Sequence, residues 1–297
     1  MTEVKQEVRQ FYDQVGWQLV NEDFYQNARY EDLRPVSREY IHRCHLRPTR
    51  FLNSSGRFLL DAGSGPIQYP EYLQYSSGYQ YRVCADISIT ALREARLRIG
   101  NHGLFVVADI SHLPFSDEVF DGIVCLHTIH HLPNEEHLSA YTEFHRVLII
   151  ERVGTIVNSW PGSRLMNLFD PLIRFANRLR WRWDLLTGKP HRNSVIANKS
   201  ADQSITKSKP SQDQMPKGTF TERHDLVWIK EVVGEKMPLE IYVWRSVSVR
   251  FMRALIHPKL AGRLWLKGLY WFEEQFPHYF GKIGKYPLIV IRKREEV

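Results

Sequence analysis

The residues best suited to chemistry stand at the ends of short apolar runs. Leu60-Asp61-Ala62-Gly63-Ser64-Gly65-Pro66 sets an acid close before two glycines, after one such run and ahead of a helix-like segment. Glycines there let the backbone turn tightly and let a ligand approach with no Cβ in the way, although an ordinary strand-to-helix turn would read the same. A second run ends at Asp86 and a third at Asp109. A carboxylate in such a place can accept two hydrogen bonds at once. It can also cap the helix or loop that follows. A fourth run leads into His127-Thr128-Ile129-His130-His131. A histidine of near-neutral pKa can take a proton from a substrate hydroxyl, or can hold its loop by hydrogen bonding. This histidine spacing fits no strong metal-ligand pattern and no Cys or Asp partner stands out, so no metal is expected.

A dinucleotide fingerprint would place a third glycine where Gln68 stands. The Asp61-x-Gly63-x-Gly65 spacing instead resembles the [D/E]-x-G-x-G pattern of class I S-adenosylmethionine-dependent methyltransferases. The resemblance extends over about residues 50–160: Asp109 is followed by Leu113-Pro114-Phe115, FDGIVCLHTIHHLP runs from Phe120 to Pro133, and Glu143, Arg146, Val147 and Leu148 match an E-x-x-R-V-L segment. It departs at Ile149-Ile150-Glu151-Arg152-Val153-Gly154, where the family has K-P-G-G. What the resemblance implies is a cofactor site. Asp61, Ala62, Gly63, Ser64 and Gly65 would form the turn under S-adenosylmethionine. Asp86, with Ile87, would take the ribose hydroxyls. Asp109 would accept from the adenine amino group and the Ile110 amide would meet the ring. His127 would lie beside the methionine part. Tyr12, within Phe11-Tyr12-Asp13, would belong to a lid helix that excludes water. His130 and His131, at the mouth, are the candidate catalytic residues, and Asp121 is structural.

The sulfonium of that cofactor is already a strong methyl donor. The protein must mainly hold donor and acceptor in line and keep water out, so cofactor residues are legible and catalytic ones are not. No [N/D]-P-P-[Y/F/W] tetrapeptide follows the fourth run, which favours an oxygen or carbon acceptor over an amino group. His224, Tyr242, Trp244 and Tyr279 are candidate acceptor-pocket residues in the variable half.

The elements that must position these residues alternate. Runs at 57–61, 81–86, 103–109, 120–126 and 153–159 read as buried strands, and segments at 67–75, 89–99 and 135–149 read as helices between them. Alternation of this kind implies crossover connections and a parallel sheet covered on both faces. Residues 3–18 and 35–52 read as two further helices, 161–186 as an Arg- and Trp-rich helix, 239–249 and 287–292 as strands, and 250–280 as helical and aromatic. The expected fold is α/β, a Rossmann-like, seven-stranded, mostly parallel sheet with helices on both faces, an antiparallel last strand and helical C-terminal insertions. The expected division is a lid or cap over 1–52, a cofactor-binding core over 53–160, a helical and flexible insertion over 161–238 (its 187–219 stretch polar and disordered) and the last strands over 239–297.

Charge is unevenly placed. Residues 1–158 hold 15 Lys and Arg against 20 Asp and Glu, whereas residues 159–297 hold 25 against 13. A net +12 in the second half suggests an anionic partner, such as a phosphorylated or lipid-like substrate, a membrane surface or nucleic acid, or else a solvated basic face. Residues 173–186 interleave four Arg with Phe175, Trp181 and Trp183. They read as a core helix with snorkelling Arg, an interfacial membrane helix or a base-stacking surface. Cys44, Cys84 and Cys125 are odd in number and far apart, which suits a reducing compartment. With no apolar signal core at the N-terminus and no long uncharged apolar stretch, the expected location is the cytoplasm. The expected partner is a small-molecule or lipid-like acceptor, with peripheral membrane contact in view and nucleic acid disfavoured. The rival functions are RNA methylation, which would show salt-sensitive RNA binding, and an inactive methyltransferase fold that only binds.

Overall fold

The computed structural model describes residues 2–17, 19–21, 24–25, 31–187 and 219–295. Seven strands form one sheet: β1 (Gly56–Ala62), β2 (Tyr79–Asp86), β3 (Gly103–Val107), β4 (Phe120–Leu126), β5 (Leu148–Val157), β6 (Leu239–Arg245) and β7 (Tyr286–Arg292). Their order is β3-β2-β1-β4-β5-β7-β6. All run parallel except β7, which is antiparallel to both β5 and β6. The expected fold class holds, including the reversed last strand. The chain builds outward from β1 through β2 and β3, then returns to the other side of β1 for β4. The crevice over the carboxyl ends of β1 and β4 is therefore the topological switch point, where open α/β sheets bind ligands.

The strands are apolar on both sides because both faces are covered. On one face Leu60, Val83, Ile123 and Ile156 pack with Ala140, Tyr141 and Phe144 of α4 (Asn134–Val147). On the other, Leu59, Cys84 and Val124 pack with Leu92 and Ala95 of α3 (Ile89–Ile99) and with Tyr72 and Tyr75. A fully buried side chain of Leu or Phe size contributes ~1.5–3 kcal/mol through area removed from water. The remaining α-helices of seven residues or more are α1 (Glu3–Phe11), α2 (Arg38–His45), α5 (Arg164–Leu186), α6 (Val249–Leu255), α7 (Gly262–Gln275) and α8 (Pro277–Ile283) among the described residues. Tyr40, Ile41 and Cys44 of α2 share a separate core with Met252 of α6 and Leu266 of α7. Thus α2 packs on the C-terminal helices, while α1 reaches the carboxyl end of the sheet through Lys5 and Asp109.

Several elements differ from the sequence expectation, each for a local reason. Only a 3₁₀ segment, Pro70–Ser76, stands where a helix over 67–75 is expected, because Pro70 lacks the amide an α-turn needs and Ile67 is left-handed at φ 56°. The helical stretch at 250–280 is cut into three by Pro258, by left-handed Ala261 and by Pro277. β6 ends at Arg245, since Ser248 caps α6 by accepting from the Phe251 amide. The segment that departs from K-P-G-G is a bulge inside β5. Pairing jumps from Phe120↔Leu148 to Gly122↔Val153, and Glu151 takes the left-handed position at φ 60°. Glu143 and Arg146 clasp the loop that leads out of β3. Glu143 accepts from the Leu113 amide at 2.7 Å, and Arg146 donates to the Phe115 carbonyl at 2.8 Å. Asp121 accepts from the Arg57 and Phe58 amides and fastens the start of β1. The stretch expected to be disordered, 187–219, lies almost entirely outside the described residues. Among them no helix is long and apolar enough to cross a membrane, and Cys44, Cys84 and Cys125 are buried free thiols.

Candidate active site

β1 delivers the glycine turn to the switch point. Gly63 and Gly65 have φ of +71° and +54°, and the Gly63 amide donates to the Ala85 carbonyl at 2.7 Å. A Cβ on Gly63 would stand 2.2 Å from Thr128 Cγ2, so the turn fits against the β4 loop only without one. Asp86, at the end of β2, joins two elements. One carboxylate oxygen accepts from the Gly65 amide at 2.9 Å and the other from the Ser88 amide at 2.8 Å, with Ile87 between. Burial pushes the Asp86 carboxyl up to about 6 against the pull of these two amides, and the Asp61 and Asp13 carboxylates add to the rise.

Asp61 faces away from the turn. Its carboxylate receives Arg82 Nε at 3.0 Å and Nη2 at 2.5 Å, and Arg82 also donates to the Tyr72 carbonyl. Burial raises the Asp61 carboxyl and Arg82 opposes it. No short pattern marks Arg82, a cation set inside the apolar run that ends at Asp86. Ala62 and Ile110 bury their side chains in the main core, so only their backbones face the crevice, and Ser64 Oγ donates to the Gly65 carbonyl at 3.1 Å.

The N-terminal segment reaches three of these places. Lys5 of α1, only 3% exposed, ion-pairs with Asp109 and with Glu136. Burial raises Asp109, but Lys5 and Ser111 outweigh it and hold the carboxyl below its usual range. Asp13 accepts from Ser88 Oγ, two residues from Asp86. The Tyr12 hydroxyl lies 2.8 Å from His131 Nε2, and the Trp17 ring stacks on Tyr12 at 5.0 Å between centroids and sits over Gly65. Trp17 stands in the Gly16-Trp17 pair that, with Phe11-Tyr12-Asp13, resembles the lid helix, whereas Lys5 and Thr128 carry no motif and are visible only in the fold.

His127, left-handed at φ 56°, turns the chain at the end of β4, and its amide donates to the Val157 carbonyl at 2.8 Å. Its ring meets Trp244 edge-on at 4.9 Å and Tyr286 at 5.6 Å. Burial, then Arg245, lowers its pKa to about 3. His131 Nδ1 lies 2.9 Å from the Phe220 carbonyl. A carbonyl can only accept, so Nδ1 carries the proton and Nε2 accepts from Tyr12. Burial lowers His131 to about 4, so the ring is neutral at physiological pH. The His130 ring lies tilted against it, 4.1 Å between centroids, and is lowered further, first by burial and then by its histidine neighbours. The segment after residue 218 walls this loop, with the Glu222 amide donating to the His130 carbonyl at 2.9 Å.

Behind His127 lies a buried polar layer that no motif announced. Arg245 donates to Glu31 at 2.5 Å, and the His45 ring stands 3.7 Å from both Glu31 and Glu71. Trp244 stacks on His45 at 5.6 Å, and its indole N–H has no hydrogen-bond partner among the described residues. Of the candidate acceptor residues, the structure brings only Trp244 to His127. His224 stacks on Trp228 at 3.7 Å, Tyr242 lies on Phe51 and His278, and Tyr279 is exposed. Among the described residues no group of three His, Cys, Asp or Glu is placed to hold a metal ion.

Comparison with known proteins agrees with this geometry. Residues 60–151 match the model of a methyltransferase domain family. A curated relative, Methyltransferase GfsG of Streptomyces halstedii, is 28% identical over 141 residues, which are 44% of this chain. The chain spans 50% of that relative's length. Among solved structures, the YcgJ protein of Bacillus subtilis is 16% identical with a TM-score of 0.46, over 87% of this chain and 100% of that one. A phosphoethanolamine N-methyltransferase of Haemonchus contortus, solved with phosphomonomethylethanolamine and S-adenosylhomocysteine, is 14% identical with a TM-score of 0.48, over 85% of this chain and 52% of that one. Residues 60–151, which span β1 to the bulge of β5 and hold the Gly63–Gly65 turn, are thus similar in sequence to a methyltransferase domain.

Proposed function

We propose that the protein transfers a methyl group from S-adenosylmethionine to an oxygen or carbon of a small-molecule or lipid-like acceptor. The observation that carries this reading is the tie between Asp86 and Gly65, 2.9 Å long, at the switch point of the sheet. It joins a Cβ-free turn to a buried carboxylate whose oxygens each keep further acceptor capacity, which suits a ligand with paired hydroxyls. Bound there, S-adenosylmethionine supplies an electrophilic methyl on a sulfonium.

The chain's own residues then bind, orient and exclude water. Gly63 and Gly65 admit the ligand close to the backbone, Asp86 takes its ribose hydroxyls, and Asp109 with the Ile110 amide takes the adenine. Asp61, held by Arg82, sets the turn from behind. Tyr12 and Trp17 cover the turn and keep water out. His127, with Trp244 and Tyr286 about it, bounds the acceptor side, where the Trp244 indole N–H is a donor for an acceptor oxygen. An acceptor proton has a route through the Tyr12 hydroxyl to His131 Nε2, and His130 holds the His131 ring in place.

The test is transfer of label from methyl-labelled S-adenosylmethionine to phenols, quinones, sugars and lipids. Label in one acceptor class, lost in Asp86→Ala, supports the reading. Cofactor binding with no transfer to any class would instead make the protein a binding member of the fold.

A further inference from the structure

α5 carries an apolar stripe that nothing among the described residues covers. Leu168, Leu172, Phe175, Leu179, Trp183 and Leu186 recur every three or four residues, the period of one helix face, and are each 49% to 83% exposed. Only the start of the helix and Ile173 are buried against the body. Hydrophobic stripes normally face a core, and an exposed one of this length marks an interaction surface.

We infer that α5 is an interfacial helix that seats the protein on an anionic lipid bilayer. Its charge selects this occupant. Arg174, Arg178 and Arg182 flank the stripe on one side, and Arg180 on the far side donates to the Arg253 carbonyl at 3.1 Å. An apolar face edged by Arg and set with Trp is the composition of helices that lie in the headgroup layer, where Arg stems snorkel and the indole ring spans apolar and wet regions. A second copy packed antiparallel, stripe to stripe, would bring the same Arg rows together and repel. A helix of 23 residues is ~34 Å long and could span a bilayer, but its Arg residues forbid that, so it lies along the surface.

This docking stands apart from methyl transfer, and its test reads it separately. The full chain is mixed with vesicles of phosphatidylcholine alone and of an equimolar phosphatidylcholine–phosphatidylglycerol mixture, then sedimented. The expected result is co-sedimentation with the anionic vesicles, reversed by salt, with a blue shift of Trp emission. Leu179→Glu with Trp183→Glu abolishes it, and Arg178→Gln with Arg182→Gln weakens it about thirtyfold. S-adenosylhomocysteine affinity, measured on the same proteins, stays at the wild-type value, so a failure of cofactor binding cannot pass for a failure of docking. Three results would overturn the inference: no sedimentation with either vesicle, binding that survives the Glu substitutions, or a dimer in sedimentation velocity that those substitutions dissolve.

Discussion

Lys5 in the first helix and Asp109 just past the third strand form a partly buried ion pair across 104 residues of sequence. The same ammonium meets Glu136, so one cation bridges two carboxylates beside the crevice. Removing it leaves like charges facing each other. Lys5→Met is therefore expected to cost ~2 kcal/mol and to free α1 from the sheet. Hydrogen exchange checks it: amides of residues 3–16 lose protection while those of β1 and β4 keep theirs. The sign of the pH dependence follows from the lowered Asp109 carboxyl. The pair stabilises the fold above the ordinary aspartate value of 3.8, and that stability is lost as pH falls through the lower folded value.

Asp86 behaves in the opposite sense. Its folded carboxyl is raised from 3.8 to about 6, so the protonated form is favoured, and stability is highest below 3.8 and declines as pH rises through about 6. A ligand whose hydroxyls donate to Asp86 needs the ionised form. Cofactor affinity should fall up to about tenfold per pH unit below about 6, and binding near that pH should release a proton. Calorimetry in buffers of different ionisation enthalpy measures that proton. Asp86→Asn should bind more weakly with a flat profile over the same range.

How much of this was legible beforehand follows from where each signal lies. The strand-end acids, the glycine pair and the five leading strands are local patterns, and the structure sets Asp86 and Gly65 in contact as a turn-bearing site requires. Lys5, Arg82, Thr128, Glu31 and Arg245 were not legible, because their partners lie 21 to 214 residues away and no short pattern joins them. The broken helices after residue 249 show the same limit from the other side. The stretch 250–280 reads as helical and aromatic, and single prolines and a left-handed Ala261 set where its helices break.

The hydrogen bond of Tyr12 to His131 separates orientation from binding. Tyr12→Phe and His131→Ala are expected to lower kcat about 100-fold, the lower end of the usual range for a positioned proton-handling group, while S-adenosylhomocysteine affinity changes little. Because His131 is already neutral above about 4, the wild-type kcat profile should show no histidine titration between pH 6 and 8 in roughly this range. A step there would contradict a His131 held neutral by burial.

Gly63 offers a steric test of the turn. Gly63→Ala meets the Thr128 side chain and strains a left-handed residue, at a cost of roughly 1–2 kcal/mol for the backbone alone. Adding Thr128→Gly should recover the steric share of the lost stability in thermal unfolding and leave the backbone share. Full recovery or none would mean the turn does not press on the β4 loop as described.

The most direct test of the central claim is calorimetric titration of the full chain with S-adenosylhomocysteine. The expected result is single-site micromolar binding that Asp86→Ala sharply weakens. Absence of heat from a demonstrably folded protein, or binding untouched by Asp86→Ala, would contradict it, leaving Asp61, Asp86 and Asp109 as caps of the strands they end.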